Sequence, residues 1–308
     1  MPDSSNMPLT NCPSLRKDIA MHWLPITLLC AFMLASSDAA VKKYLSQLDA
    51  RSLIVIRLGF AGVLMLPIGL TLPWPNLTSN FWLWMLLLVP LEIIAMTLYI
   101  KAIRDYPLSL TLPYLAFTPA FAAINAWLLL GEHISLYGLS GMLLIIIGAW
   151  LLNIPENHSH TARRALDPLR AIFRNKGSRL MLTAALIYSF SAVGSKAAMT
   201  GIAPLQFGAF YFGTIGSVAL LLFGKGSMGP IRRHWFASMA VALFMAVMVF
   251  THFLALSLTE VAYMISVKRL SLLFGILYGA WLFQEKHLSM HLFAAGLMLG
   301  GVLLISAF

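Results

Sequence analysis

Two adjacent cations, Lys268 and Arg269, lie in the middle of a long apolar stretch of the sequence. From Val261 to Phe283 this stretch contains no other Lys, Arg, Asp or Glu. At the centre of a bilayer the two charges together cost roughly 5–7 kcal/mol, even at about 2.5–3.5 kcal/mol each on an insertion scale. A planar guanidinium beside an ammonium group suits phosphate or carboxylate, so the pair predicts a site for an anionic group.

Charges in the other apolar stretches indicate which partners the pair has. Asp38 and Arg57 fall at matching depths near the ends of the first two stretches, which predicts a structural ion pair between them. Glu92 is then the one acidic residue left in the interior of the apolar stretches to pair with Lys268 or Arg269, so one of these two cations has no anionic partner. The excess favours an anionic substrate group, with a bound counter-ion or a neutral Lys268 as the alternatives. Glu92 itself has two interpretations, a structural ion pair with one of these cations or a carboxylate that couples transport to protons.

Helical spacing predicts which further side chains face a cavity. We expect Tyr114, Asn125 and Ser271 to line it, whereas the small residues on the same faces also fit close helix packing. The stripe on the ninth stretch comprises Met264, Lys268, Ser271, Gly275 and Tyr278. The stripe on the fourth comprises Thr111, Tyr114, Thr118, Ala122 and Asn125.

The third and eighth stretches contribute two more candidate faces. Glu92 shares its face with Met96 and Tyr99, and His252 shares its face with Met245 and Met248. His252 either relays protons or is a histidine satisfied by ordinary hydrogen bonds. Together with the cationic pair, these residues form the predicted substrate site.

The composition predicts an all-α integral membrane protein. Hydrophobic residues make up 60% of the 308 residues and charged residues only 10%, whereas soluble domains carry about 25% charged residues. Short segments of alternating polarity, which mark membrane β-barrels, are missing from the sequence. Ten stretches are long enough to span a bilayer as helices, at 23–42, 53–72, 82–102, 108–129, 135–154, 179–199, 204–223, 235–256, 260–282 and 290–308.

The distribution of positive charge predicts the orientation. We name the side of the membrane with both termini side A and the opposite side, which receives the central linker, side B. Side B has fifteen Lys and Arg residues and side A has three, so side B is predicted to be cytoplasmic and both termini external. In a bacterium this corresponds to the inner, or plasma, membrane. The net charge of +10 is therefore explained by topology and not by nucleic-acid binding.

The sequence repeats itself, which organises the predicted fold. Residues 102–132 align without a gap with residues 255–285, and both segments end in a similar Ala-Trp-Leu motif followed by Glu. We predict a polar tail at 1–22, a first five-helix repeat at 23–154, a basic linker at 155–178 and a second repeat at 179–308. Because five is odd, the repeats cross the membrane in opposite senses, as in transporters with a midplane site.

These features resemble the drug/metabolite transporter superfamily, EamA type, over nearly the whole chain. The resemblance rests on two groups of five spans, Gly131-Glu132 and its echo Gln284-Glu285, and Arg57 early in the second span. It implies a metabolite carrier with a central cavity lined by helices 1, 3, 4, 6, 8 and 9. The Lys268-Arg269 pair is also similar to the phosphate-binding pair of the triose-phosphate translocator branch. That branch has a lysine in helix four, where this chain has Leu115.

Enzymatic chemistry and tightly bound cofactors are not expected. The sequence lacks paired carboxylates, metal-ligand spacing and a phosphate-binding glycine loop, so we predict a non-enzyme without metal or cofactor. Gly138-Leu139-Ser140-Gly141 resembles an intramembrane serine protease motif, but close packing of helix five explains its small residues better. His158 and His160 are expected to be solvated linker residues.

The sequence therefore predicts a transporter that moves a small, phosphate- or carboxylate-bearing metabolite by alternating access. An exporter of amino acids or other neutral or zwitterionic metabolites is the first alternative, and a lipid-phosphate flippase or accessory membrane subunit is the second. The expected partners are an anionic small molecule, the lipid bilayer and a coupled proton or counter-substrate. The protein is expected to act as a monomer or a homodimer.

Overall fold

The computed structural model describes residues 13–71, 74–106, 111–151, 175–283 and 289–306, and the described residues contain helices and no strands. In chain order the α-helices are α1 Pro13–Tyr44, α2 Ala50–Ile54, α3 Ala61–Thr71, α4 Ser79–Asp105, α5 Thr118–Leu130, α6 Leu136–Leu151, α7 Lys176–Ala198, α8 Pro204–Phe223, α9 Met228–Arg233, α10 Trp235–Leu258, α11 Val261–Lys268, α12 Ser271–Phe283 and α13 Ser289–Ser306. A π-helical segment, Val55–Phe60, joins α2 to α3, and a 3₁₀ segment, Leu112–Phe117, precedes α5.

The apolar helices agree with the prediction of a multi-pass membrane protein. Seven described helical segments are long and apolar enough to cross a bilayer, and three shorter apolar helices accompany them. The first helix already includes Pro13, ten residues before the predicted start at residue 23, so the predicted polar tail is partly helical. Most of the predicted 155–178 linker lies outside the described residues.

The sequence repeat is reproduced in the positions where two helices begin. α5 starts at Thr118 and α12 at Ser271, and these residues correspond in the gapless alignment of the two halves. Each follows a turn of different geometry, the 3₁₀ segment before α5 and the Arg269-Leu270 turn before α12. The two halves thus contain related interrupted helices, which the prediction of continuous spans did not include.

The first helix of each half packs against helices of the other half, as expected for a pseudo-twofold arrangement. α1 packs against α10, α11 and α12 of the second half, and α7 packs against α4, α5 and the 3₁₀ segment of the first half. α3 packs against α8, and α6 packs against α13. The interface between the halves therefore includes the pairs α1–α10, α4–α7, α3–α8 and α6–α13, with the interrupted helices beside α1 and α7.

Glycines bring α6 and α13 into close contact. A Cβ atom built on Gly301 would lie 2.5 Å from the carbonyl oxygen of Gly141, and 2.8 Å from the side chain of Ile145. Gly138 of the protease-like motif packs in the same manner against the ring of Tyr263. The two glycines of this motif, Gly138 and Gly141, thus serve helix packing.

We expect Gly301→Ala to lower the melting temperature of the purified protein, because one added methyl group must push α6 and α13 apart. Overpacking of this kind costs about 1–3 kcal/mol. The neighbouring Gly300 is the matched control, since a Cβ there meets no atom within 4 Å. Equal melting temperatures for Gly301→Ala and Gly300→Ala would contradict the proposed packing role.

Candidate functional site

A cavity of about 470 Å³ lies between the two halves, near the middle of the helices. Its lining comes from both halves and includes α1, α4, α7, α8, α10, α11 and α12. Towards side B it reaches Ile103, Gly279 and the exposed Lys42 near the ends of their helices. Towards side A the lining reaches Ile265 in α11 and Ser195 in the last turn of α7. The cavity therefore extends from the side-B ends of α1, α4 and α12 through the middle of the helices to the last turn of α7.

The cationic pair lies where the ninth predicted span is interrupted. α11 ends at Lys268 and α12 starts at Ser271. The backbone N–H groups of Arg269, Leu270 and Leu272 each donate to the carbonyl three residues earlier, at 3.0 Å, so the chain turns more tightly here than in an α-helix. The turn holds both cations at the cavity wall and directs the N-terminus of a new helix to the same place.

Arg269 is a buried cation without a carboxylate partner among the described residues. Its side chain lines the cavity, is 6% exposed, and has an Nε atom with no hydrogen-bond partner. Its polar neighbours include the hydroxyls of Tyr99 and Tyr188 and the thiol of Cys30. A buried guanidinium with neutral neighbours retains most of its desolvation cost until an anion reaches it.

Lys268 contacts a histidine and not a carboxylate. Its Nζ atom lies 3.3 Å from Nδ1 of His252 on α10, and both side chains line the cavity. A neutral imidazole nitrogen accepts one hydrogen bond from the ammonium group but supplies no negative charge. The pair Lys268-Arg269 therefore leaves positive charge on the cavity wall.

Glu92 lies on α4 and is bound by hydroxyl groups. Ser191 Oγ donates to Glu92 Oε2 at 2.6 Å and lies 3.2 Å from Tyr211 Oη, which in turn lies 3.3 Å from the carbonyl oxygen of Leu88. Glu92 is 9% exposed and lines the cavity. Within the described residues it forms no ion pair with Lys268 or Arg269 within 4 Å. This geometry does not support the first interpretation of Glu92 as a structural partner of that pair.

Asp38 and Arg57 are brought together, as their matching depths in the sequence predict. Arg57 Nη2 donates to Asp38 Oδ1 between α1 and the π-helical segment. The two side chains differ in exposure, at 41% for Asp38 and 2% for Arg57. Both line the cavity, so the pair is part of its wall as well as a contact between helices.

Two predicted lining residues lie elsewhere. Tyr114 and Asn125 do not line the cavity within the described part of the chain. Tyr114 is fully buried against Trp150, and Asn125 donates to Ser189 Oγ on α7 at 2.9 Å. At Tyr114 the prediction failed because Leu112–Phe117 is a 3₁₀ segment, in which each residue turns further than in the assumed α-helix. Thr118 of the same stripe does line the cavity.

The other predicted residues converge on the cavity, and some lining residues were missed. Ser271, Tyr99, His252 and Glu92 line it together with the cationic pair. The missed polar lining residues are Tyr188, Ser191, Ser195 and Tyr211. The first three recur at helical spacing on α7, so the stripe criterion applied to this helix finds them. Tyr211 stands alone on α8, and no pattern in the sequence marks it.

The acidic and histidine residues do not form a metal centre in the described part of the chain. No group of three or more His, Cys, Asp or Glu residues lies close enough there to hold a metal ion.

Comparison with known proteins identifies the family. The model of the EamA-like transporter family matches residues 21–154 and 175–307, once in each half. No curated protein matches the sequence. Among 28 matching chains of solved structures, one described only as "Crystal structure of protein" aligns with a TM-score of 0.69 and 15% identity, covering 92% of this chain and 98% of that chain. This similarity supports the fold, and the two family matches cover most of the sequence. The chain belongs to the EamA-like transporter family and is a multi-pass membrane transporter.

Proposed function

We propose that this transporter carries a small metabolite with a carboxylate or phosphate group, and that Lys268 and Arg269 bind this group. The observation that carries the proposal is the position of Arg269. This residue is only 6% exposed, lies at the cavity wall and has no carboxylate partner in the described part of the chain. An anion would offset the desolvation cost of this charge and supply the acceptors its donors need.

The interrupted helix supports the same assignment. The helix dipole makes the N-terminus of α12 partly positive, and the N–H groups of Leu272 and Phe274 donate to carbonyl oxygens of the turn that precedes the helix. Ser271, the first residue of α12, lines the cavity beside the cationic pair. Interrupted helices whose N-termini face an anionic substrate group are a recurring device of secondary transporters. The hydroxyls of Ser271 and Tyr99 are proposed to orient the substrate.

The cavity has a size suited to a metabolite. Its volume of about 470 Å³ falls within the range of roughly 300–1,000 Å³ that is usual for small-molecule sites. Methionines 96, 245 and 248 supply much of its apolar wall. Flexible thioether side chains adapt to varied apolar shapes, so the anionic group is proposed to be the fixed point of recognition.

For transport we propose alternating access, with ten membrane-spanning helical segments in two inverted halves. The cavity faces side B, which the distribution of Lys and Arg predicts to be cytoplasmic, so this is proposed to be an inward-facing state. A C-terminal tag that reacts with an impermeant reagent from the cytoplasm alone would reverse the orientation.

Glu92 is proposed to couple transport to protons. It lies in the same cavity as Lys268, and its hydrogen-bonded neighbour is the neutral Ser191, next to Tyr211. We expect Glu92→Gln to bind the anion but to lose the acceleration of transport by an imposed proton gradient. Exchange of labelled for unlabelled substrate, which needs no gradient, is the internal control. A Glu92→Gln protein that still responds fully to the gradient would exclude this role.

The experiment that tests the function is thermal stabilisation of the purified protein by a metabolite panel. The panel contains phosphates, carboxylates, amino acids and uncharged analogues of equal size. A ligand at 100 times its dissociation constant stabilises the folded state by about 2.7 kcal/mol, which is readily measured as a rise in melting temperature. Anions are expected to stabilise the protein and their uncharged analogues are not. Equal stabilisation by an anion and its uncharged analogue would contradict the proposal.

A further inference from the structure

An ion pair joins the two halves at the end of the molecule opposite to the cavity mouth. Lys196 Nζ lies 2.7 Å from Glu132 Oε1, with side-chain exposures of 24% and 13%. Glu132 follows α5 of the first half, and Lys196 lies in the last turn of α7 of the second half. Both line a separate hollow at the side-A ends of the helices. This pair plays no part in the proposed binding of the anion.

Each partner also binds the backbone at the start of α11. The N–H of Val261 donates to Glu132 Oε2 at 2.9 Å, and Lys196 Nζ donates to the carbonyl oxygen of Thr259 at 2.6 Å. The carboxylate thus lies at the N-terminus of α11 and the ammonium group at the C-terminus of α7, where each charge is favoured by the helix dipole. Three helix ends, those of α5, α7 and α11, are held by two side chains.

The Gly131-Glu132 sequence explains how the carboxylate is positioned. Gly131 has a φ of 66°, the left-handed conformation that ends many helices. The N–H of Glu132 donates to the carbonyl oxygen of Ala126 at 3.2 Å, which turns the chain back over the end of α5. No atom crowds a Cβ at Gly131, so the backbone conformation, and not space, requires glycine.

We propose that Glu132, Lys196 and the backbone of residues 259–261 form a latch that closes side A while the cavity is open to side B. This inference rests on the alternating access proposed above. Opening side A requires the end of α5 in the first half to separate from α7 and α11 in the second half, which breaks both contacts of Glu132, with Lys196 and with the N–H of Val261. The latch therefore stabilises the present state relative to the one that opens to side A.

The latch is tested by the accessibility of a cysteine in the cavity. Ala192 on α7 is 6% exposed, lines the cavity and offers no polar contact to lose. Ala192→Cys is introduced with Cys12→Ser and Cys30→Ala, and vesicles with side A outside are treated with an impermeant thiol reagent. We take the conformation open to side A to be populated in about 1% of the parent molecules. Glu132→Gln is then expected to raise the labelling rate about tenfold, because the population of this conformation increases.

Three further variants make the result specific. Lys196→Met is expected to raise the labelling rate as Glu132→Gln does. The double variant Glu132→Gln/Lys196→Met is expected to be labelled at most about twofold faster than either single variant, because the three variants lose the same ion pair. Glu260→Gln is the matched control, because Glu260 lies at the same helix end and contacts Thr259 Oγ1. It is expected to label at the rate of the parent protein.

Labelling of Glu132→Gln and Lys196→Met at the parent rate would overturn the latch. This readout needs no substrate, so it is separable from the anion assignment. A protein that transports an anion but has unchanged labelling in both variants refutes the latch alone. A protein that shows the labelling changes but is stabilised equally by anions and their uncharged analogues refutes the anion assignment alone.

Discussion

Arg269→Gln is expected to reduce anion affinity at least about a hundredfold, the largest functional effect we predict. Glutamine keeps hydrogen-bonding capacity but removes the charge and the two-pronged donor geometry. Each hydrogen bond to a charged group contributes about 1.5–3 kcal/mol, so loss of two corresponds to roughly 3–6 kcal/mol. The measurement is the shift in melting temperature across a titration of the anion that stabilises the wild-type protein best.

Two comparison variants separate charge from folding. Arg269→Lys retains the charge and is expected to give an intermediate affinity, because lysine lacks the planar fork. Arg51→Gln removes an exposed cation of α2 that does not line the described part of the cavity, and it is expected to bind as the wild type does. An Arg269→Gln protein that is folded and binds the anion with unchanged affinity would show that the guanidinium has a structural role.

The largest expected effect on stability follows from Asp38→Asn. This change leaves Arg57, which is 2% exposed, without its carboxylate partner. Removing the partner of a buried charge costs up to about 3–5 kcal/mol, because the remaining charge, here Arg57, is desolvated and uncompensated. Membrane insertion and melting temperature in detergent are therefore expected to fall together.

Because the two partners differ in exposure, we expect their single substitutions to lower the stability by different amounts. Arg57→Met leaves Asp38, which is 41% exposed and can be solvated through the cavity, so it is expected to cost less than Asp38→Asn. The double variant Asp38→Asn/Arg57→Met is expected to regain most of the stability lost in Asp38→Asn. A double variant as unstable as Asp38→Asn would mean that Asp38 stabilises the fold through contacts other than this pair.

Sequence reasoning located features that depend on depth in the membrane and missed features that depend on local backbone geometry. Asp38 and Arg57 could be matched because both lie near the side-B ends of adjacent helices. The convergence of Glu92, His252 and Lys268 followed from the cost of burying polar groups in an apolar helix. The interruption after Lys268 could not be foreseen, since neither proline nor glycine occurs between Val261 and Leu270.

The error at Tyr114 has a related origin. A helical stripe is valid only while each residue turns by the α-helical angle, and the 3₁₀ segment Leu112–Phe117 breaks that condition. Tyr114 and Asn125 accordingly face other helices. Pairing across the interface, as between Ser191 and Glu92, depends on which helices become neighbours, and a single sequence does not contain that information.

The interrupted helices α5 and α12 correspond residue by residue, yet only one of them has charges beside its interruption. Lys268 and Arg269 have Leu115 and Ala116 as counterparts in the first half. If the anion is held as proposed, its cationic anchor belongs to the second half, while the first half contributes Glu92 and the Asp38–Arg57 pair to the same cavity. The duplicated backbone thus supports a division of labour, in which one copy holds the cargo and the other supplies the carboxylate proposed to couple transport to protons.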